Sequence, residues 1–508
     1  MLVLWRCWRF TLKPMIQPSD APKEVPYWIP FLGHTLQFFQ SSDKLLEYGL
    51  NYVNRTHEIF SVLVGGQKMH IVTDPTDVKA VFADSEAMGF DAHLARLIQY
   101  FGVTAAGCVK AWYKPQPGDK CYDTPTNPDN LKFIHWSEAT YRKQLLPGVH
   151  QDNLCKAFMD SGCCSFQGDC TLFNKELPGE SRLMSLQSLC RIVIVEAVTQ
   201  SFWGNHLHNL DPDIVSDLLE FNDNVWMVAY GISDSFFGRR VAPVKKKLRN
   251  IMDQFLKSNP TDHPERGELA FIISQMIQSM ENVDLDDESR SSLCLMIFWA
   301  AISNEYNAAF WLITEMLHDQ ELLDAIITET EAAWFPTGPD GALELNTKHL
   351  AMRSPNMDSL FNEMLRSRNG ATALRHLTRD TVVGGKMLKK GDNVVVPFKQ
   401  LHTNEKVWGP TVSEFNPKRF KEKKTLARHP SFRPWGGGAS QCVGKHVAKE
   451  EVFGFIAVLF HRFDVKLAPQ HSGEPAQPFP RINDTIPSLG INGPMKGEDT
   501  IIELRVKA

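Results

Sequence analysis

Residues 431–458 read SFRPWGGGASQCVGKHVAKEEVFGFIAV, and the rest of the chain is best understood outward from them. Gly436, Gly437 and Gly438 make a loop whose backbone can come close to a flat partner, because no Cβ stands in the way. Cys442 follows, and the period then switches. Val443, Val447, Ala448, Val452, Phe455 and Ile456 recur every three or four residues, which predicts a helix starting almost at the cysteine. A thiol at a helix N-terminus lies in a positive field that favours the thiolate. Donors from a glycine loop can hydrogen-bond such a sulfur and tune its basicity. That setting suits a soft metal ligand better than a hydrolytic nucleophile, since His446, one helical turn on, is badly placed to take the thiol proton. A cysteine packed in a turn is the bland alternative.

The composition is that of a folded protein: 508 residues, 43% apolar, 22% charged and 10% aromatic, which excludes a disordered or low-complexity chain. With 54 basic and 59 acidic residues the formal charge is −5, so no global field draws the protein to nucleic acid. Ten cysteines are too sparse for a disulfide scaffold and fit a reducing compartment. Cys155, Cys163, Cys164 and Cys170 cluster, but without a C-x-x-C pair or a histidine at zinc spacing.

Upstream of the cysteine, residues 382–390 and 393–397 read as short strands around Gly384-Gly385 and Gly391-Asp392. Strand-like runs also occur at 59–64 and 70–73, and residues 105–135 and 161–178 read as long polar loops. Residues 180–335 are mainly helical in period. Within them, 293–313 (LCLMIFWAAISNEYNAAFWLI) is apolar on all faces except for a notch at Ser303, Asn304, Glu305 and Asn307. An all-round apolar helix is buried, and polar groups inside it need partners or a wet cavity. The expected fold is mainly α with small sheets.

The first 13 residues, MLVLWRCWRFTLK, are too short to span a bilayer. As a helix they would put Arg6, Arg9 and Lys13 on one stripe and Met1, Leu4, Trp5, Trp8 and Leu12 on the other, as a helix lying among headgroups requires. A mitochondrial presequence also fits, because no acid occurs before Asp20. Pro14, Pro18, Pro22, Pro26 and Pro30 then predict an extended hinge over 14–34, followed by a single domain over 35–508.

Trp435-x-x-Gly438-x-x-x-Cys442-x-Gly444 resembles the haem-binding signature of the cytochrome P-450 haem-thiolate family. Glu363-Met-Leu-Arg366 resembles the family's ExxR, and Phe415-Asn-Pro-Lys-Arg419-Phe420 its meander, in the family's order along the chain. The resemblance implies the cytochrome P-450 fold, with haem between a long central helix and the cysteine loop. Cys442 would be the axial ligand of the haem iron, with Trp435, Gly436, Gly438 and Gly444 around it. Glu363, Arg366 and Arg419 would form a structural cluster, and Arg375 and Arg142 would reach the haem edge. The family also implies a membrane-associated enzyme, at the endoplasmic reticulum facing the cytosol, and an NADPH-dependent flavin reductase. That reductase would dock on basic residues such as Lys445 or Arg433.

Departures from the common pattern narrow the reading. Ser440 stands where the family often has arginine or histidine, and Glu138 where it often has tryptophan. The family's Ala-Gly-x-acid-Thr is replaced by Ala300-Ala301-Ile302-Ser303-Asn304, which resembles the branch of prostacyclin synthase and the sterol 7α- and 12α-hydroxylases. This branch implies a lipophilic, sterol- or terpenoid-like substrate. Asn304, Ser303 and Glu305 would then handle protons in a monooxygenase. Alternatively, Asn304 would donate to a peroxide-type substrate in an electron-independent isomerase or dehydratase. A catalytically degenerate haem or ligand carrier is the third reading.

Overall fold

The structure is a computed structural model that describes residues 1–16, 20–165, 181–232, 235–258, 269–337, 341–469 and 477–507. The chain divides into two compact units, each assembled from separated segments. The first comprises Met1–Leu94, Ser359–Cys442 and Arg481–Gly497; the second comprises Ala95–Asp358, Val443–Pro480 and Glu498–Ala508. The boundary falls directly after the cysteine.

A six-stranded sheet organises the first unit, in the order Lys23–Glu24, Phe60–Val64, Gln67–Ile71, Asn393–Pro397, Thr372–Leu377, Met88–Gly89. Its centre is Asn393–Pro397, every residue of which is buried, as a run of three valines predicts for a strand covered on both faces. That strand runs parallel to Gln67–Ile71, with Val395 opposite Ile71, and antiparallel to Thr372–Leu377, with Val395 opposite Leu374. The register puts Arg375 beside Val394. The strand expected within 382–390 is a separate hairpin, Thr381–Val383 with Lys386–Leu388. Gly384 and Gly385 turn it at φ 55° and 70°, values that L side chains rarely adopt.

The second unit is mainly helical. Its apolar helices include Leu186–Trp203, Asp287–Ile302, Glu305–His318 and Lys445–Arg462. A three-stranded sheet of Phe463–Leu467, Ile501–Val506 and Ser181–Ser185 joins distant parts of the chain. The helix after the cysteine begins at Lys445 with Gly444 as its N-cap, and twelve of its residues are buried.

Two expectations need correction, and a third falls largely outside the described residues. The polar stretch at 105–135 is not all loop: Ala105–Trp112 is a helix capped by the Thr104 side chain, and only 113–132 is irregular before the helix Phe133–Leu145. The second loop, 161–178, lies outside the described residues except for its first five positions, which end the helix Val149–Ser165. The N-terminal arm does not stop at Pro14: helical turns continue from Leu2 to Ile16, because a proline near the start of a turn loses no hydrogen bond that the turn needs.

The arm's charges are also turned inward. Arg9 pairs with Glu24 at 2.8 Å, and Arg6 donates to the Tyr27 carbonyl and lies 4.2 Å from the Trp28 ring. Met1, Leu4, Trp8 and Leu12 are left exposed, together with Trp28, Ile29 and Phe31. Among the described residues, no helix is long and apolar enough to cross a membrane.

Candidate active site

The cysteine loop is held from three sides within the first unit. The Cys442 amide donates to the Trp435 carbonyl at 2.9 Å, closing the loop on itself. The Asn369 side chain donates to the Pro434 carbonyl at 2.8 Å, and the Arg375 guanidinium donates to the Gly437 carbonyl and to Ser440 Oγ. Gly436 and Gly438 have φ of 76° and 62°, and a Cβ on Gly438 would sit 2.7 Å from the Phe82 carbonyl oxygen. Glycine is therefore required twice over at Gly438, by φ and by space. Trp435 stands at the loop's start, 6.1 Å from the Phe361 ring. Cys442 is exposed at the end of this anchored loop.

Arg375 is the notable charge. Only 5% of its surface is exposed, and among the described residues it makes no ion pair. Burial pulls its pKa down to about 10. Phe82 and Phe90 lie 5.0 and 5.7 Å from its guanidinium carbon, at the wall of a cavity of about 510 Å³ that also includes His376, Ala439 and Ser440. A buried cation with no carboxylate partner among the described residues, bonded to the loop that presents an exposed thiol, fits an anionic group whose metal takes a thiolate ligand. Haem has those properties. A larger cleft, about 1170 Å³, lies in the second unit along Trp334, Lys348 and His461, and holds none of the residues assigned to chemistry.

The Glu–Arg–Arg cluster assembles as the spacing predicts. Three residues apart on Pro355–Arg368, Glu363 and Arg366 form a forked pair at 2.7 and 2.8 Å, and Arg419 Nε adds bonds at 3.1 and 3.2 Å. All three are buried. The spare guanidinium protons go to carbonyls: Arg366 donates to His402, Val412 and Glu414, and Arg419 to Trp408, Thr411 and Glu414. One residue unforeseen from sequence is His402. Burial and the Arg366 charge push its pKa to about 3, so its neutral Nε2 accepts the Arg433 amide at 3.0 Å and ties the cluster to the cysteine loop. Arg433 itself is half-buried, donating to the Pro430 carbonyl, so it does not offer the exposed docking charge expected of it.

The central helix is broken. Asp287–Ile302 ends and Glu305–His318 begins on either side of Ser303 and Asn304, with Asn304 at φ −126°, ψ −28°. Serine and asparagine compete with the helix for its own hydrogen bonds, and their adjacency here ends it. The Asn304 amide donates to Ser303 Oγ at 2.8 Å. In an otherwise buried run, Ala300 is exposed and Ala301, Ser303 and Asn304 are half-buried. The notch is therefore real, but it is a gap between two helices rather than a face of one.

Glu305 has a partner that sequence reasoning missed. Its carboxyl meets that of Glu451, on Lys445–Arg462, in a hydrogen-bonded pair with both residues buried. Burial lifts the pKa of Glu305 to about 7, and burial together with the Glu305 charge lifts that of Glu451 well above the carboxylate range. Burial and the Glu305 charge both favour the protonated form of Glu451, the form that can donate to the Glu305 carboxylate. The signal was present as two adjacent acids, Glu450 and Glu451, in an apolar helix. Glu450 accepts from Gln151 at 2.8 Å. Arg142 is half-exposed and pairs with Glu138 one turn back at 2.8 Å.

Comparison with known proteins bears on this arrangement. A family model described as Cytochrome P450 matches residues 212–489, more than half of the chain. A cytochrome P450 monooxygenase of Penicillium oxalicum is 20% identical over 477 residues, covering 92% of this chain and 91% of its own length. Prostacyclin synthase of Bos taurus is 24% identical over 481 residues, covering 89% of this chain and 88% of itself. The 7-alpha-hydroxycholest-4-en-3-one 12-alpha-hydroxylase of Oryctolagus cuniculus is 22% identical over 534 residues, covering 100% and 97%.

Proposed function

The chain belongs to the cytochrome P450 family and is a monooxygenase of that type, and from this premise we propose that it oxidises a lipophilic, sterol- or terpenoid-like substrate. Electrons would come from NADPH through a flavin reductase. The observation that carries the cofactor assignment is the buried Arg375, with no carboxylate partner among the described residues, bonded to the loop that presents Cys442. Cys442 would ligate the iron as thiolate. Arg375, with Ser440 held against it, would meet the carboxylates of the macrocycle, and Trp435, Gly436, Gly438 and Gly444 would shape the loop beneath it. Arg142 would contact the group only after leaving Glu138. Haem, when bound, supplies the oxygen activation that protein side chains cannot.

The protein's own part is to place and hold protons. Ser303 and Asn304 offer a hydroxyl and an amide at the break in the central helix, where they would hold water. Glu305 and Glu451 would store a proton between two buried carboxyls. The cluster of Glu363, Arg366 and Arg419 is structural. The exposed apolar side of the arm, with Trp28, Ile29 and Phe31, supports contact with a membrane surface, in this reading the endoplasmic reticulum facing the cytosol.

The carbon monoxide difference spectrum of the dithionite-reduced protein, beside Cys442→Ala, tests the assignment. A thiolate-type Soret band that disappears in the variant is expected; folded protein with no haem band would overturn it and leave a ligand carrier. A second reading, an electron-independent isomerase, is favoured by Asn304 in place of threonine and by the likeness to prostacyclin synthase. Turnover of an endoperoxide without reductase would select it over the monooxygenase. Sterol-dependent oxygen consumption with NADPH and reductase would select the monooxygenase.

A further inference from the structure

The two ends of the central-helix break are bridged by one side chain from another helix. Asn222 lies on Ile214–Asn224. Its Oδ1 accepts the indole N–H of Trp299 at 2.9 Å, and its Nδ2 donates to the Tyr306 hydroxyl oxygen. Trp299 is in the last turn of Asp287–Ile302, and Tyr306 is in the first turn of Glu305–His318. The indole is a donor only, so the amide has one orientation that satisfies both bonds. A second tie reinforces the first: Arg191 lies 5.6 Å from the Tyr306 ring and pairs with Asp223, next to Asn222, at 2.8 Å. Phe101 packs on both Trp299 and Phe221, with centroids 5.4 and 6.0 Å apart.

Residues seven apart on a continuous helix share a face and stand about 10 Å apart along its axis. Here the backbone between Trp299 and Tyr306 leaves the helical path, and the Asn222 amide closes the gap. We propose that Asn222 is a positioning residue, whose clasp on Trp299 and Tyr306 holds the break open at Ser303–Asn304 and couples the seating of Ile214–Asn224 to the shape of the notch. That the notch serves oxidation rests on the reading above; the clasp itself does not.

Hydrogen–deuterium exchange on the haem-loaded full chain tests it, comparing Asn222→Ala, Asn222→Asp, Tyr306→Phe and the double variant Asn222→Ala/Tyr306→Phe. Aspartate can accept from both the indole and the phenol, so it should rescue. The expected result is exchange about tenfold faster in peptides spanning 300–307 for Asn222→Ala and Tyr306→Phe, no further gain in the double variant, and near-wild-type rates for Asn222→Asp. Loosening confined to 214–224, or spread evenly over the chain, would show an ordinary packing bond and overturn the proposal. So would unchanged exchange at 300–307. Because no turnover is measured, failure of the clasp is distinguishable from failure of the functional reading. Should a variant fail to load haem, the same comparison on the haem-free chains, wild type included, decides the matter.

Discussion

Replacing Glu305 by glutamine should make the protein more stable in mild alkali. In the wild type, burial raises the Glu305 pKa from its ordinary 4.5 to about 7. The folded chain therefore binds more protons than the unfolded chain between those values. The sign follows: the contribution of a protonated Glu305 is fully present below pH 4.5 and is lost as pH rises through about 7. At ~1.36 kcal/mol per pH unit the loss is at most about 3 kcal/mol. Glutamine carries no charge, still reaches Glu451, and relieves the repulsion that raises the Glu451 pKa. Relative to wild type, Glu305→Gln should thus gain up to about 3 kcal/mol between pH 4.5 and 8. With an unfolding entropy of ~2 cal/mol/K per residue, a chain of this length converts that to about 3 °C in melting temperature. Differential scanning fluorimetry across pH 5 to 8.5 reads it directly. Melting curves that run parallel across the range would refute the shared-proton pair.

Other residues give sharp outcomes. Glu363→Ala leaves the buried Arg366 and Arg419 without their carboxylate, a loss of roughly 3–5 kcal/mol, which should appear as a large fall in soluble yield and melting temperature; an unchanged melt would remove the cluster's structural role. Gly438→Ala combines positive φ with a Cβ 2.7 Å from the Phe82 carbonyl and should lower stability by about 1–3 kcal/mol. Gly385→Ala, at φ 70° with nothing within 4 Å, should cost clearly less, and thermal melts compare the two. Arg375→Leu should release haem to apomyoglobin about 10–100-fold faster, as loss of a charge-assisted contact implies, and a melt of the haem-free protein measures separately the loss of the bonds by which Arg375 anchors the loop. Equal haem release would refute a contact between Arg375 and haem.

Much of the candidate site's geometry was legible because it is local. The glycine loop and Cys442 are neighbours in sequence, and their geometry comes from φ preference and the absence of Cβ. Glu363 and Arg366 meet because three residues along a helix bring side chains to one face. The strand at Asn393–Pro397 was legible for a similar reason, as an unbroken β-branched run. The polar stretch at 105–135 misled because its many prolines lie after Trp112, while its first residues, AAGCVKAW, are good helix formers behind a threonine cap.

What the sequence by itself determined is therefore the chemistry: a thiol on a glycine loop, a charged cluster behind it, and a polar notch in an apolar run. The tertiary structure alone decided which groups those residues answer to. Glu305 faces Glu451, 146 positions away, and a buried carboxyl's protonation depends on that neighbour rather than on its own residue type. Arg375 draws its significance from being buried with no carboxylate partner among the described residues. The notch became a break spanned by Asn222, because a helix interrupted by serine and asparagine takes its path from whatever side chain satisfies the groups on either side. Long-range pairings of this kind leave no periodicity in the chain, since they are set by packing between elements whose order in space the local pattern does not encode.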